Sequence, residues 1–557
     1  MWKKLLPIIV VLVVLAYSFL WFRHAGETET QARAFLDTLS GQQGIAITYD
    51  DISVGGFPFE FVTDIHNPVI TLDSAKLLAT AYQMNGIAAA EPTQATHTNK
   101  IAIQGDIKLK VNYFSRRVAL EVSGTSQGEN QAGEKVVHWA GKEDGVASCA
   151  IKLGPEADMS ILQESAFSVL KNPATLAKNF ESIDCLADPM EIVNSDSGDM
   201  LYRGGDQIFS VSLDETAPGN VSINLALTSN DFEVSDQWSQ WMDEVMEAVN
   251  PGGLNTGILA IQSHEAVGKQ NTEIKLSYRG PSSLDTWQEN EEINFQLPVF
   301  SLSNNLYHIN MPASFTLTKM ASQFSGEFSL DGKATYNPAI DGYANQTVAQ
   351  IADTIYAQKD SDARYAIRIG DLKKEELQAG MQAMVPSLGE FKTANAQIEA
   401  SFKGREDETL HQLAGEATLK QLSLRMGDYG FSATGTMMLA PQRGEISIHC
   451  YKCHETVEKL VVYLTNFQKL VSMVNPGLPA IPDGVAFRSA IAGFIENLSQ
   501  PAEDEPDARI IQISDSGNGQ IVISGHTMQD VMALAMQTFM PFFMPPPQPG
   551  QGSPSSR

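Results

Sequence analysis

Basic residues are in short supply in this chain of 557: 38 lysines and arginines face 66 aspartates and glutamates, a formal net charge of -28. So acidic a balance disfavours nucleic acid and anionic membrane surfaces as partners and favours solubility. Cysteine is scarcer still, Cys149, Cys185, Cys450 and Cys453 being the whole set. No His-Glu-x-x-His, phosphate-cradling glycine loop or dinucleotide fingerprint occurs in the sequence. These absences remove the commonest signatures of metal, phosphate and dinucleotide chemistry, and no complete catalytic constellation stands in their place. The expectation is a protein that is not an enzyme and needs no cofactor.

Charge is missing altogether from Leu5 to Phe22, LLPIIVVLVVLAYSFLWF. As a helix this run rises about 27 Å, enough to cross the hydrocarbon core of a bilayer. Lys3 and Lys4 precede it and, by the positive-inside bias, hold the N-terminus in the cytoplasm while the remaining chain is exported. A cleaved signal peptide is the competing reading. Small residues are missing at the cleavage positions, however, and Tyr17, Trp21 and Phe22 suit an aromatic belt, with Arg23 a snorkelling charge. A retained single-pass anchor is therefore expected. It places the cysteines where disulfides persist, with Cys149 and Cys185 one candidate pair and Cys450 and Cys453 the other.

Beyond the anchor, Ala32, Phe35, Leu36 and Leu39 recur at helical spacing before Ser40-Gly41, which predicts a short amphipathic helix. Gly44 to Asp73 alternates like strands and is broken by Gly55-Gly56, Pro58 and Pro68, as edges or bulges are. This order of anchor, helix, a strand ending in Gly56-Phe57-Pro58-Phe59 and a strand opening at Asn67-Pro68 resembles the bacterial family known as domain of unknown function 2125, best over roughly the first 75 residues. The family has no assigned reaction, so the resemblance implies no functional residues. The layout is also similar to that of AsmA-like inner-membrane-anchored envelope proteins, which implies an elongated, curved sheet and involvement with lipids or outer-membrane assembly.

Further on, Ile107, Leu109, Val111 and Tyr113 alternate with Lys108, Lys110 and Asn112, the pattern of half-buried antiparallel strands. Strand runs recur to Ile448, interrupted by helices expected over Ile161–Lys171, Ala349–Gln358 and Leu377–Met384. The fold class expected is α+β, mostly antiparallel β, with elongated twisted sheets and flanking helices after one transmembrane helix. Val221–Gly253 can be laid without gaps on Ile446–Leu478, each reading as strand, turn, helix and a Val-Asn-Pro-Gly stop. That repeat suggests residues 25–253 and 254–540 as two β-rich modules, after the anchor at 1–24. The tail 541–557 is proline-rich and reads as disordered, a composition that also suits a partner's ligand.

Four patterns bear on chemistry. Cys450-Tyr451-Lys452-Cys453-His454 fits the attachment signature of c-type haem. A local disulfide tightening the end of a strand needs nothing else and is the favoured reading. Zinc held by His449, Cys450, Cys453 and His454 is poor geometry, since adjacent strand residues point to opposite faces. Gly124-Thr125-Ser126-Gln127-Gly128 satisfies the nucleophile-elbow pattern, but a loop-like stretch and not a helix follows it, so a hairpin turn is expected. Finally, Met528, Met532, Met536 and Met540 recur every four residues on the last helix, with Met544 continuing the count, either as core or as a soft apolar surface. Together with Leu109 and Val111 they are the candidate apolar binding face. The function expected is non-catalytic: a protein in the bacterial inner membrane, its bulk in the periplasm, that holds or passes lipid or another amphiphile or supports envelope assembly. A protein-binding scaffold is the alternative, and a c-type haem carrier a distant one.

Overall fold

A computed structural model describes residues 25–76, 97–157, 179–238, 268–281, 292–359, 369–474 and 485–543, with short breaks inside those spans, 57–59 among them. The uncharged run Leu5–Phe22, the helix expected over Ile161–Lys171, both Asn-Pro-Gly stops, Met544 and the rest of the proline-rich tail to 557 lie outside the described residues, whereas residues 541–543, expected to open that tail, continue the last helix. Among the described residues no helix is long and apolar enough to cross a membrane. The chain is mostly antiparallel β with several helices. It divides into two compact units that meet in sequence at Asn305 and Leu306.

The first unit opens with helical residues 25–30 and 32–34, followed by short strands β1 (Ile45–Thr48), β2 (Asp51–Gly55), β3 (Phe61–His66) and β4 (Val69–Asp73). Two long strands come next, β5 (His97–Asn112) and β6 (Arg117–Ala132), paired along their whole length. Each exceeds the usual strand by far, and each carries shorter strands end to end on its free edge. β3 and β4 share the edge of β5. On β6 the edge is shared by β7 (Lys135–Gly141) and β8 (Val146–Leu153). From there two lanes run side by side. One passes from β8 through β9 (Phe180–Ala187); the other passes from β7 through β10 (Met190–Asn194) and β11 (Met200–Gly204). β12 (Gln207–Ala217) completes the first lane, and both lanes end on β13 (Asn220–Val234). β14 (Gln270–Pro281) and β15 (Glu292–Ser303) follow in order. Because β14 pairs along most of β13, it belongs to the same unit. The boundary expected near Gly253 falls between those two strands, outside the described residues.

The outer strands are protected by the N-terminal helix, as sheet edges commonly are. Leu36 is buried against Ile52 and Ile65. Arg33 donates to Glu29, to Asp51 and to the Ile52 carbonyl at 3.2 Å, and Ser40 Oγ both accepts from and donates to the backbone of Ile47.

In the second unit β16 (Tyr307–Asn310) and β17 (Ala313–Met320) again lie end to end on one long strand, β18 (Gln323–Tyr336). Helices α1 (Ala339–Ala357) and α2 (Lys374–Gln382) then close a separate core around Ala352, Leu377 and Met381. A meander follows: β18 pairs β19 (Thr393–Asp407), then come β20 (Gln412–Met426), β21 (Tyr429–Leu439) and β22 (Gln442–Tyr451). α3 (Cys453–Val474) and α4 (Val485–Asn497) precede β23 (Gln500–Pro501) and β24 (Arg509–Asp515), and β24 pairs back onto β22. β25 (Ile521–Ile523), β26 (His526–Thr527) and α5 (Met528–Phe543) end the described chain.

Two expectations are corrected. Gly124–Gly128 is neither an elbow nor a hairpin turn, because it lies in the middle of β6 with Thr125, Ser126 and Gln127 paired to Gln104, Ile103 and Ala102. Gly105 and Gly124 face each other there, and a Cβ on Gly124 would stand 2.4 Å from the Gln104 carbonyl oxygen. The glycines allow a close backbone approach, at φ 114° for Gly124, and carry no turn. The gap-free repeat also fails in register. β13 continues to Val234 and helical residues begin at 236, whereas β22 ends at Tyr451 and α3 begins at Cys453. The stretch Leu227–Val234 is therefore strand where the alignment sets it against a turn and the start of α3.

Candidate functional site

Side chains alternate across a strand, and directly opposed residues of neighbouring strands share a face. Register therefore assembles each face row by row. In the first unit Leu109 opposes Leu120, which opposes Cys149, then Cys185, Phe209, Leu227, Ile274 and Phe300. A second row starts at Val111 and continues through Val118, Ile151, Ile183, Val211, Leu225 and Leu276. Nothing charged stands in either row. The reverse face carries Lys108, Lys110, Glu121, Asp184, Ser210 and Asn224, with Lys110 Nζ 2.6 Å from Glu121. Buried clusters close the apolar face at both ends, Leu36, Ile52 and Ile65 at one and Leu153, Phe180, Leu213 and Val221 at the other. Between them Leu109 and Val111 are half-buried and Leu120 is 42 % exposed.

The second unit repeats this division of faces. Phe315, Phe328, Ala400, Leu419, Gly435 and Ile446 form one row across β17 to β22; Leu317, Gly326, Phe402, Ala417, Met437 and Gly444 form the next. All of them except Gly444 line an open trough of about 300 Å³ in which Phe315, Phe328 and Met437 stay exposed. Two features that favour local bending of a sheet occur here. Register slips between Glu399 and Ala400 and between Leu419 and Leu422 are bulges. At Gly435 a Cβ would lie 2.4 Å from the Glu445 carbonyl oxygen, so the strands approach more closely than a side chain allows. The same apolar face is roofed elsewhere, where α3 and α4 bury Cys450, Val457, Val461 and Ala492 against Phe431. On the reverse face Gln397 donates to Asp331 at 3.1 Å and Arg425 stacks 3.5 Å above the Tyr451 ring, lining a polar concavity of about 670 Å³.

The four cysteines stand in two bonds. Cys149 and Cys185 join directly opposed residues of β8 and β9 within the first apolar row, with Cα atoms 4.0 Å apart. Cys450 and Cys453 tie the end of β22 to the first turn of α3, and Cys450 is 0 % exposed. A thioether to haem needs both of these thiols, which here bond each other. The methionine stripe of α5 faces outward: Met532 is 59 % and Met536 56 % exposed, while Val531 is buried and Phe539 meets Phe494 of α4 at 5.3 Å. These methionines belong to the second unit, and Leu109 and Val111 to the first. Trp238 packs beside Tyr202 at 6.4 Å.

One cluster carries no sequence motif. His66 Nδ1 lies 2.8 Å from Asp106 Oδ1, and its Nε2 lies 3.3 Å from Ser53 Oγ. Beside it the Ile52 N–H, followed by the Arg33 guanidinium, holds the Asp51 carboxyl below the usual carboxylate range. The three residues come from β2, β3 and β5, and only strand register joins them. Separations of 13 and 40 residues leave nothing local to read.

The fold and faces define a β-rich protein with two-faced antiparallel sheets. Residues 21–127 match a family described as an uncharacterized protein conserved in bacteria (DUF2125), and the match spans the N-terminal helix and the strands from β1 into β6. No curated protein matches the chain, and the AsmA-like layout gains no support from these comparisons.

Proposed function

We propose that this protein is anchored in the bacterial inner membrane by Leu5–Phe22 and uses its apolar sheet faces, in the periplasm, to hold or pass lipid or another amphiphile in support of the envelope. The observation that carries the reading is the trough across β17 to β22, with Phe315, Phe328 and Met437 exposed on one face and a polar reverse face. An acyl chain or a hydrophobic partner seated in this trough would take these apolar side chains out of water, which is the favourable direction. Lipid carriage requires no residue of the polar clusters, and on this reading no cofactor. The test is mass spectrometry of organic extracts from the full-length protein purified in detergent. An acyl-bearing species present at a fixed ratio to protein, and displaced by a competing amphiphile, is the expected result; extracts matching a detergent blank would end the reading.

The exposed methionines of α5 favour a second reading, a scaffold that binds another protein through a soft helical surface. That reading predicts no lipid in the extract and a partner whose capture is lost on Met532→Glu.

A further inference from the structure

We propose that Ser53, His66 and Asp106 form an acyl-transfer site in which Ser53 is the nucleophile toward carboxylic esters. The hydrogen-bond directions follow from the groups themselves. An ionised carboxylate only accepts, so the contact of 2.8 Å to Asp106 places the imidazole proton on Nδ1. In the neutral ring Nε2 is then the acceptor, and the Ser53 hydroxyl at 3.3 Å is the donor aimed at it. A nucleophile within reach of a base that is itself oriented by a third group is the geometry of an activated serine, whatever the order of the residues in the chain. Ser53 is exposed, and His66 and Asp106 are half-buried, so a substrate can reach the hydroxyl.

Strand alternation also offers a donor for the developing oxyanion. Arg33 donates to the Ile52 carbonyl from the side of β2 away from β3. Backbone groups of alternate residues point the same way, so the N–H of Val54, the residue after Ser53, faces that side too. In the reaction Ser53 Oγ bonds to the ester carbon as its proton passes to His66 Nε2. The alkoxide leaves with that proton as the free alcohol, giving acyl-Ser53. Water, surrendering a proton to the same Nε2, then releases the carboxylic acid and restores the serine. All three residues lie within the span 21–127 that matches the family. Their face of the sheet is opposite to that of Ile52, Ile65 and Ile107, which makes the activity independent of carriage on the apolar faces. It departs from the expectation of a non-enzyme, which rested on the absence of a sequence motif.

The test uses full-length protein in detergent, a fluorophosphonate probe and p-nitrophenyl acetate. Phosphonylation should map to Ser53 by peptide mass spectrometry. Ser53→Ala and His66→Gln should each lower labelling and ester turnover by about 100-fold or more. Asp106→Asn, a change at the positioning residue, should lower turnover by about 10-fold or more by allowing the other tautomer, with the melting temperature unchanged. Ser53→Cys should retain ester turnover through the thiolate. Labelling of native Ser53 no faster than in denatured protein, or turnover unaltered in folded Ser53→Ala, would overturn the proposal.

Discussion

Single residues act here through short-range hydrogen bonds, and where partners are also close in sequence the pattern can be read directly. Thr527 caps the last helix: its Oγ1 accepts from the Asp530 N–H at 3.2 Å, and Asp530 in turn accepts from the Thr527 N–H at 3.0 Å and from its hydroxyl at 2.6 Å. Thr527→Ala should therefore cost about 1 kcal/mol in chemical denaturation. The Thr527 hydroxyl, then its backbone N–H, also hold the Asp530 carboxyl below its usual value of 3.8. A carboxyl depressed in the folded state stabilises fully above that value and loses its contribution as pH falls through the lower folded one. The Thr527→Ala penalty should accordingly shrink in acid below about pH 4, and a penalty constant from pH 7 to pH 3 would contradict the capping role. Ser53, His66 and Asp106 are the opposite case, because three strands must first find their register before the side chains meet.

At the scale of elements, period-two alternation made β5 and the first half of β6 legible, since Ile107, Leu109 and Val111 interleave with Lys108 and Lys110. The second half of β6 was not legible, because Gly124, Ser126 and Gly128 look like a turn to any rule built on local preference. Pairing with β5 over the whole strand overrides that preference. Gly128 is needed because the Trp139 ring lies where its Cβ would be, at 2.6 Å, and the same indole donates to Asn130 at 3.0 Å inside the sheet. Gly124→Ala should thus destabilise by at least about 1 kcal/mol in urea unfolding, through the positive φ and the contact with Gln104. Ser126→Ala should stay within about 0.5 kcal/mol and leave ester turnover intact. Loss of turnover in Ser126→Ala would restore the elbow that the register excludes. The repeat was misaligned for a related reason: a shared strand-to-helix order is visible in sequence, but the length of β13 is set by β12 and β14, its neighbours across the sheet.

For the whole molecule, alternation tells which side of each strand is apolar but not what covers it, and that is why function was less legible than fold. The two units cover their faces unevenly, and this gives a discriminating experiment. Val111 shares a row with Val118 and Ile151, which pack on the buried cluster of Leu153, Phe180, Leu213 and Val221. A charge at Val111 would meet that core, where an unpaired carboxylate costs several kcal/mol. Val111→Glu should lower the melting temperature or abolish expression. Leu120 and Met437 lie on the same kinds of face at 42 % and 43 % exposure, and water can solvate a carboxylate at either position. Leu120→Glu and Met437→Glu should therefore remain folded and protease-resistant, yet lose co-purified lipid, because a charge in contact with an acyl chain is desolvated only when the chain is bound. Carriage in both units predicts partial loss in each single variant and near-complete loss in the double. If both variants fold and keep the full lipid content, the apolar faces are not where the amphiphile sits, and the exposed methionine surface of α5 becomes the better place to look.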